Sequence, residues 1–420
     1  MNPKSIILNN KDLVFHISEF LDDKSSFNLF NSNKYYNSII KNNKHRYTIK
    51  RKLTMKNNKN LIMTSNYKIK SIEVYENFNQ YDIDNLPKYI DNLYISISSK
   101  QKNITINNLP SKLKTLHIFG QFNKPIDHLP NSIEKLSISH IFNQTIEKLP
   151  ENLTYLEISG DFNSPINHLP KSLQRLHLGY VFNQNIDKLP ESLTYLEIGG
   201  KFNQPIDHLP SSLTFLQLNG CFNQPIDHLP KNLNKLVLGI NFDKPVNHLP
   251  HSLESLSLCW GFKHPVDNLP PNLIDLLISG AFNHPINNLP KSLKSLKLLG
   301  ELFNQNVDNL PEGLTHLEIN GNFNQPIDKL PSTLTHLDLR AHSFNHPIDK
   351  LPKGIKFLRL GIMFYHSVNI LPDALEELHF YYSDFTMNLD NLPPSLKIIT
   401  AGVMSDSKKI IYKKIIEANK

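Results

Sequence analysis

The sequence is poor in the features that mark exported and membrane proteins. Its 420 residues include only two cysteines, Cys221 and Cys259, too few to staple a chain of this length. No apolar run reaches the roughly 18 to 20 residues that a membrane-spanning helix needs. Residues 1–10 contain no apolar stretch that ends in a small-residue cleavage site. We therefore expect free thiols, an intracellular location such as the cytoplasm, and no membrane partner.

Motifs for catalysis are also missing. The chain contains no glycine-rich phosphate loop, no Cys-x-x-Cys and no His-Glu-x-x-His. His208, His228 and His248 recur at 20-residue spacing, which by itself would fit a metal site. Other residues at the same 20-residue spacing are Lys188 and Asn268, however. A recurring position that accepts lysine is typical of a solvated turn. The sequence therefore predicts no enzymatic activity, no catalytic residue, no cofactor and no metal site.

The positive charge lies at the ends of the chain. The formal net charge of +7 divides into +10 over residues 1–70, +3 over residues 401–420 and −6 over residues 71–400. A nucleic-acid-binding protein built on its central region would concentrate its cations there. We therefore expect no nucleic-acid partner.

Proline is abundant and regularly spaced. The chain has 28 prolines, and 16 of them follow a leucine. From Leu109 to Leu289 the Leu-Pro pairs recur every 20 residues, and beyond Leu289 the interval alternates between 21 and 20. A fixed period of this length is typical of a solenoid protein.

One repeat unit, residues 189–208, shows what each period encodes. Leu196 and Ile198 alternate with polar residues, which is the two-residue period of a β-strand. Pro190 and Pro205 exclude a long helix. Each unit is therefore one short strand with an extended return, and it must stack on its neighbours to bury its apolar face.

Three further columns have structural interpretations. Phenylalanines such as Phe202 and Phe222 are predicted to stack in the core. The asparagine that follows each of them is predicted to bond the backbone of the adjacent turn. Glycines at the strand end provide residues that tolerate positive φ; these are Gly120, Gly160, Gly200, Gly220 and Gly280.

The spacing Leu193-x-x-Leu196-x-Ile198 resembles the leucine-rich repeat, and the 20-residue unit with its leading Leu-Pro resembles the short bacterial-effector type. The runs at 202–206, 222–226 and 323–327 read Phe-Asn-Gln-Pro-Ile and resemble the FNIP repeat family. The resemblance covers residues 78–400. It implies a β-solenoid of leucine-rich-repeat type, with about 15 coils of 20–21 residues and one short parallel strand each, that binds protein and performs no chemistry.

Residues 1–50 differ from the repeats and form a small N-terminal helical segment in our prediction. Four apolar side chains fall on one helical face: Leu13, Ile17, Phe20 and Leu21. The run from Asp12 to Asp23, followed by Phe27 and a Tyr-Tyr pair, resembles an F-box. That resemblance implies that this face docks the Skp adaptor of a cullin–RING ubiquitin ligase. The alternative is that the helices only cap the apolar edge of the first coil.

Two shorter segments flank the repeats. Residues 51–77 are predicted as a basic connector that leads into a degenerate first coil. Residues 401–420 alternate isoleucine pairs with lysines and are predicted as a C-terminal capping helix. Binding of that helix to a membrane surface is the alternative weighed for it.

The candidate binding surface lies between the core leucines of the strands, where side chains point to solvent. Aromatic and charged residues concentrate there in four consecutive units, a composition typical of interface hot spots. The residues predicted to bind a partner are Tyr155, Glu157, Arg175, Tyr195, Glu197 and Phe215. We expect a substrate-receptor subunit of a Skp–cullin–F-box-type ubiquitin ligase, with a protein partner on this strand face. The alternative is a stand-alone repeat scaffold.

Overall fold

A computed structural model describes residues 48–54, 68–75, 78–381 and 391–401. The chain divides into two units, of which one ends at Gly179 and the other begins at Tyr180. The predicted N-terminal helices with Leu13, Ile17, Phe20 and Leu21 lie outside the described residues. The predicted capping helix lies outside them too, except for residue 401.

The first unit is a parallel sheet in which each strand pairs with the next one along the chain. Its seven described strands are β1 (Thr48–Thr54), β2 (Lys68–Tyr75), β3 (Asn92–Ile97), β4 (Thr115–Gly120), β5 (Lys135–Ile138), β6 (Tyr155–Ile158) and β7 (Arg175–Leu178). One short helix, α1 (Gln80–Asp84), and a 3-10 turn (Ser99–Gln101) interrupt the pattern. No helix within the described ranges has the length and apolar content to span a bilayer.

The second unit continues the same architecture, and its strands also pair in parallel with their sequence neighbours. Its described strands are β8 (Tyr195–Ile198), β9 (Phe215–Leu218), β10 (Lys235–Leu238), β11 (Ser255–Leu258), β12 (Asp275–Ser279), β13 (Ser295–Leu299), β14 (His316–Ile319), β15 (His336–Leu339), β16 (Phe357–Leu360), β17 (Glu377–Phe380) and β18 (Ile398–Ala401). The predicted parallel β-solenoid is confirmed, with about 16 turns.

The strand pattern sorts side chains between core and solvent. Leu193, Leu196 and Ile198 have no exposed surface, whereas Tyr195 and Glu197 between them are half-buried. This alternation follows from the two-residue period of an extended chain. The strand face therefore carries its variable residues on a rigid hydrogen-bonded sheet.

The phenylalanine column forms a continuous stack inside each unit, as predicted. Phe222 is fully buried, and its ring lies 6.0 Å from that of Phe202 and 6.1 Å from that of Phe242. The ring planes are inclined by only 7° and 4°. Burial of each ring contributes on the order of 2–3 kcal/mol to the free energy of folding.

The asparagine column forms the predicted ladder. In the first unit the backbone N–H of Asn163 donates to Oδ1 of Asn143 over 2.8 Å. In the second unit Asn223 donates in the same way to Asn203 over 2.9 Å, and the N–H of Asp243 donates to Asn223 over 2.9 Å. Each side chain thus satisfies a backbone donor of the next turn at a point where strand pairing has ended.

The glycine prediction holds at four of its five positions. Gly120, Gly160, Gly220 and Gly280 have positive φ. Gly200 does not, and the reason for glycine there is space. A Cβ atom on Gly200 would lie 2.2 Å from Cε2 of the Tyr180 ring, which lies across it.

The two 21-residue coils that are described in full, from Leu289 and from Leu330, have their extra residue in a turn. In the coil of β13, Leu302 occupies the added position between the strand and Phe303, and its side chain is exposed. The Phe282, Phe303 and Phe323 rings keep a spacing of 6.1 Å through this coil. Strand register and core stacking are therefore independent of the added residue.

Candidate functional site

The strand face consists of two columns of side chains that point away from the core. Counting the leucine of each Leu-Pro pair as position 0, these are the position-6 column, which opens each regular strand, and the position-8 column two residues later. Residues at these positions are half-buried or exposed in most strands, and the leucines beside them make up the core. The identity of the side chains at positions 6 and 8 is therefore free to vary without loss of the fold.

Three predicted residues lie in the first unit. The hydroxyl of Tyr155 donates to Oε2 of Glu157 over 3.0 Å, and the hydroxyl of Ser137 donates to the same oxygen over 3.1 Å. Arg175 pairs with Tyr155 in the strand register, so the two side chains are neighbours on the face. A shallow depression of about 480 Å³ lies at this point and is lined by His117, Lys135, Thr154, Tyr155, Gln174 and Arg175.

The other three predicted residues lie in the second unit. The rings of Tyr195 and Phe215 are parallel, with centroids 4.2 Å apart and an interplanar angle of 1°. The Tyr195 hydroxyl donates to Glu197 over 3.0 Å, and the Gln217 amide donates to the same carboxylate over 3.3 Å. The ammonium group of Lys235 lies 5.8 Å from the centroid of the Phe215 ring. The structure thus joins these residues into one ordered aromatic surface.

A second cluster on the strand face was not among the predicted site residues. It begins with the stacked rings of His316 and His336, 4.2 Å apart, and continues with Phe357, whose centroid lies 6.0 Å from that of His336. The position-8 column beside it is joined by ion pairs. Asp338 accepts from Arg359 over 2.8 Å, and Arg340 bridges Asp338 and Glu318. The sequence signal for this cluster is the same mixture of aromatic and charged residues at positions 6 and 8, although the predicted contact set was confined to the earlier coils.

Burial shifts the titration of this cluster. The pKa of His316 is lowered by burial first and then by the positive charges of His336 and Lys297. The pKa of Asp338 is raised because burial outweighs the nearby Arg359 and Arg340. The neutral form of the imidazole is therefore favoured on this part of the face.

The turn-side histidine column is solvated, as predicted, but it has partners that the sequence interpretation missed. Nδ1 of His228 lies 3.1 Å from Asp207, and Nδ1 of His248 lies 3.0 Å from Asp227. Lys329 makes the same contact with Asp308 over 3.0 Å. Each residue thus contacts the aspartate of the preceding coil, which explains why histidine and lysine alternate in this column. In most of these coils an aspartate directly precedes the histidine or lysine in the sequence. That recurring Asp-His or Asp-Lys pair could have predicted the contact.

The two cysteines are both free. Cys221 is exposed, and burial raises the pKa of the half-buried Cys259 thiol. Within the described ranges no three or more His, Cys, Asp or Glu side chains form a group that could hold a metal ion.

Comparison with protein families identifies FNIP repeats in this chain. The FNIP repeat profile matches residues 142–181, 165–201, 182–221, 222–259 and 303–341. No curated protein sequence matches the chain.

Among solved structures, the chain is similar to CroV588, described as a circular leucine-rich-repeat protein, with 29% identity and a TM-score of 0.58 over 81% of this chain and 70% of that one. It is also similar to a chain in the Drosophila Toll–Spatzle complex, with 14% identity and a TM-score of 0.53 over 78% of this chain and 53% of that one. YopM from Yersinia enterocolitica WA-314 matches with 20% identity, a TM-score of 0.44 and coverage of 81% and 75%. The chain is thus a repeat solenoid of the leucine-rich-repeat type, an architecture suited to protein–protein interaction.

Proposed function

We propose that this FNIP-repeat solenoid is a non-enzymatic binding scaffold that holds a protein partner on its strand face. The contact residues in the first unit are Tyr155, Glu157 and Arg175. Those in the second unit are Tyr195, Glu197 and Phe215. No nucleic acid or membrane is needed for this function.

The stacked pair of Tyr195 and Phe215 is the observation that carries the proposal. Both side chains are half-buried on a face where the fold does not require aromatic residues. Their mutual stacking at 4.2 Å and the bond from Tyr195 to Glu197 hold them in place before a partner binds. A preorganised aromatic surface loses little side-chain entropy on binding, which is the property of interface hot spots.

The two glutamates of the contact set, Glu157 and Glu197, favour a basic segment in the partner. Glu157 accepts from the hydroxyls of Tyr155 and Ser137, which are neutral donors and leave the negative charge uncompensated by those bonds. Residues 71–400 carry a net charge of −6. Complementary charge increases the association rate and excludes partners of the wrong sign.

The fold comparison agrees with a binding role. The Toll–Spatzle structure, which shares the fold with this chain, is a complex between proteins. The similarity extends to the solenoid architecture alone, so the choice of partner rests on the residues of this chain.

Affinity capture from a cell extract tests the proposal. The full chain is compared with a Tyr195→Ala/Phe215→Ala variant and with a His228→Ala/His248→Ala control on the turn side. We expect proteins that the wild type and the control retain and that the aromatic variant loses. Capture that depends on the turn-side histidines and not on the aromatic pair would refute the proposed surface.

The role of substrate receptor in a Skp–cullin–F-box-type ubiquitin ligase is the finer proposal. It rests on the sequence of residues 12–23 alone, with Leu13, Ile17, Phe20 and Leu21 as the adaptor-binding face. Titration of the full chain with a purified Skp-type adaptor tests it, and Ile17→Asp/Leu21→Asp should abolish binding. If the wild type does not bind the adaptor, the stand-alone scaffold with capping helices is the correct function.

A further inference from the structure

Four aromatic rings lie in a row across four consecutive strands of the second unit, β14 to β17. The rings of His316 and His336 stack with centroids 4.2 Å apart, and the Phe357 ring follows at 6.0 Å from that of His336. The ring of His379, on the next strand, lies 5.0 Å from that of Phe357. We call these four residues the aromatic row. Position 6 holds serine in β11 and β13, so the fold does not require a ring there.

Burial keeps two imidazoles of the aromatic row uncharged at neutral pH. It is the largest cause that lowers the pKa of His316 and of His379 from the ordinary value of 6.5. The charged form of each ring is disfavoured because it would lose hydration. At pH 7 the row therefore presents ring surface, rather than positive charge, to a partner.

The charged residues beside the aromatic row balance one another. Positions 6, 8 and 10 of β13 to β17 carry three cations and three carboxylates, which are Lys297, Arg340, Arg359, Glu318, Asp338 and Glu377. Lys297 lies 3.4 Å from Glu318, and Arg340 bridges Glu318 and Asp338. Arg359 donates to Asp338 over 2.8 Å. This part of the strand face thus has no net charge to attract a charged segment.

A cavity of about 180 Å³ opens beside the rings of His316, His336 and Phe357. The core side chains Leu296 and Leu317 also line it, and paired charged residues of position 8 complete its border. An apolar cavity of ~150 Å³ is large enough to hold benzene. The space therefore accepts one aromatic or branched apolar side chain.

From this arrangement we propose that the aromatic row is a second docking surface, and that its occupant is an uncharged segment of a protein partner with one aromatic or branched apolar side chain in the cavity. Contact with the rings removes apolar surface from water on both sides. A charged group at the same place would lose its hydration without gaining a counter-charge, because the neighbouring carboxylates and guanidinium groups are already paired. An uncharged segment avoids this cost.

The aromatic row is distinct from the contact residues of the proposed function. Phe215 on β9 and His316 on β14 are separated by five strand spacings of ~4.8 Å, or ~24 Å. The position-6 residues between them are not aromatic; they are Lys235, Ser255, Asp275 and Ser295. Glu197 favours a basic segment, whereas the aromatic row favours an uncharged one. The two surfaces therefore bind different segments, and each can be tested without the other.

Peptide selection against the full chain tests the docking surface. Random dodecapeptides displayed on phage are selected at pH 7.5, and the selected sequences are synthesised with a fluorescent label. Fluorescence polarisation gives their dissociation constants for the wild type and for His336→Ser/Phe357→Ser, which introduces the residue that β11 and β13 have at position 6. We expect at least one selected peptide with no net charge and an aromatic or branched apolar residue. Its dissociation constant should rise at least roughly tenfold in the variant, and replacement of that peptide residue by alanine should have a similar effect.

The matched control is Tyr195→Ser/Phe215→Ser, which removes two rings from the same column and should leave these dissociation constants unchanged. Circular dichroism shows whether each variant is folded. If the double variant unfolds, His316→Ser removes a single exposed ring instead, and the dissociation constant should rise several-fold. The docking surface is refuted if no selected peptide depends on the aromatic row, or if the peptides that depend on it carry a net charge. Peptides that depend on Tyr195 and Phe215 alone would refute it as well and leave the proposed function intact.

Discussion

Gly280 fits directly against the backbone of Trp260 in the preceding coil. A Cβ atom on Gly280 would lie 1.9 Å from the carbonyl oxygen of Trp260, and the φ angle of Gly280 is +76°. Both its conformation and its closeness to the neighbouring chain therefore require glycine. The relationship shows that the coils are in backbone contact at the ends of the strands as well as along them.

Substitution of this glycine should be costly. We expect Gly280→Ala to lower the free energy of unfolding by at least ~2 kcal/mol, since the new methyl group collides with backbone atoms and the φ angle is strained. Chemical denaturation followed by circular dichroism measures the change. Gly354→Ala is the control, because a Cβ there meets no atom closer than 3.7 Å. Equal stability of the two variants would contradict the close approach.

The asparagine ladder predicts a difference between two substitutions at one site. Asn203→Ala removes the acceptor of the Asn223 N–H and of the Gln224 amide, and we expect a loss of ~1–2 kcal/mol in the free energy of unfolding. Asn203→Asp keeps an acceptor oxygen and should cost less than half as much, as Asp243 at the same position of a later coil indicates. Urea denaturation measures the free energy of unfolding of both variants. Equal losses in the two would show that the hydrogen-bond acceptor is not the cause of the stabilisation.

Two substitutions of Tyr195 separate its ring from its hydroxyl group. Tyr195→Phe keeps the stacking on Phe215 and loses the bond to Glu197, and we expect less than a tenfold loss of partner affinity. Tyr195→Ala removes the ring and should weaken binding by well over tenfold, since hot-spot truncation costs ~2 kcal/mol or more. Surface plasmon resonance with the captured partner measures both. Similar losses for the two variants would assign the affinity to the hydroxyl group.

Two histidines should make the second unit sensitive to acid. Burial is the main cause that lowers the pKa of both His316 and His379 from the ordinary value of 6.5. The unfolded chain then binds more protons than the folded chain, so the free energy of unfolding decreases as the pH falls below about 6.5. We expect the decrease in Tm from pH 7.5 to pH 5.5 to be larger in the wild type than in His316→Gln/His379→Gln.

The charged groups around these two histidines raise and lower their pKa values at the same time. The wild type is therefore compared with the variant that lacks both histidines. Lys297 and His336 lower the pKa of His316, and Asp275 raises it. Arg359 lowers the pKa of His379, whereas Glu377 and Asp338 raise it. A decrease in Tm that is the same in both proteins would show that other groups cause the acid sensitivity.

The sequence was sufficient for the parts of the fold that are set by local, periodic rules. Leu196 and Ile198 predict a strand because apolar and polar residues alternate there, and in so short a unit this alternation indicates a β-strand. Phe222 and Asn203 predict a stack and a ladder because identical side chains recur at every coil. In these cases the neighbour in space is the same residue type one period away.

Contacts between different residue types were not predictable in this way. The role of Gly200 depends on the Tyr180 ring, which occupies the same position of the preceding coil, where other coils have glycine. The pairing of His228 with Asp207 joins two different positions of adjacent coils. On the strand face, the stack of Tyr195 on Phe215 depends on rotamers that no spacing rule determines. The F-box-like residues lie outside the described part of the chain and remain a prediction.

The turn that absorbs the extra residue in front of Phe303 has a consequence for how such a gene changes. The coils around Phe303 present to the next coil the same asparagine acceptor and the same phenylalanine ring, whether they have 20 or 21 residues. Unequal recombination between two repeats would therefore add or remove a whole coil and still join compatible surfaces. Each such event lengthens or shortens the strand face by one strand. The binding surface then changes while the packing of the core stays the same.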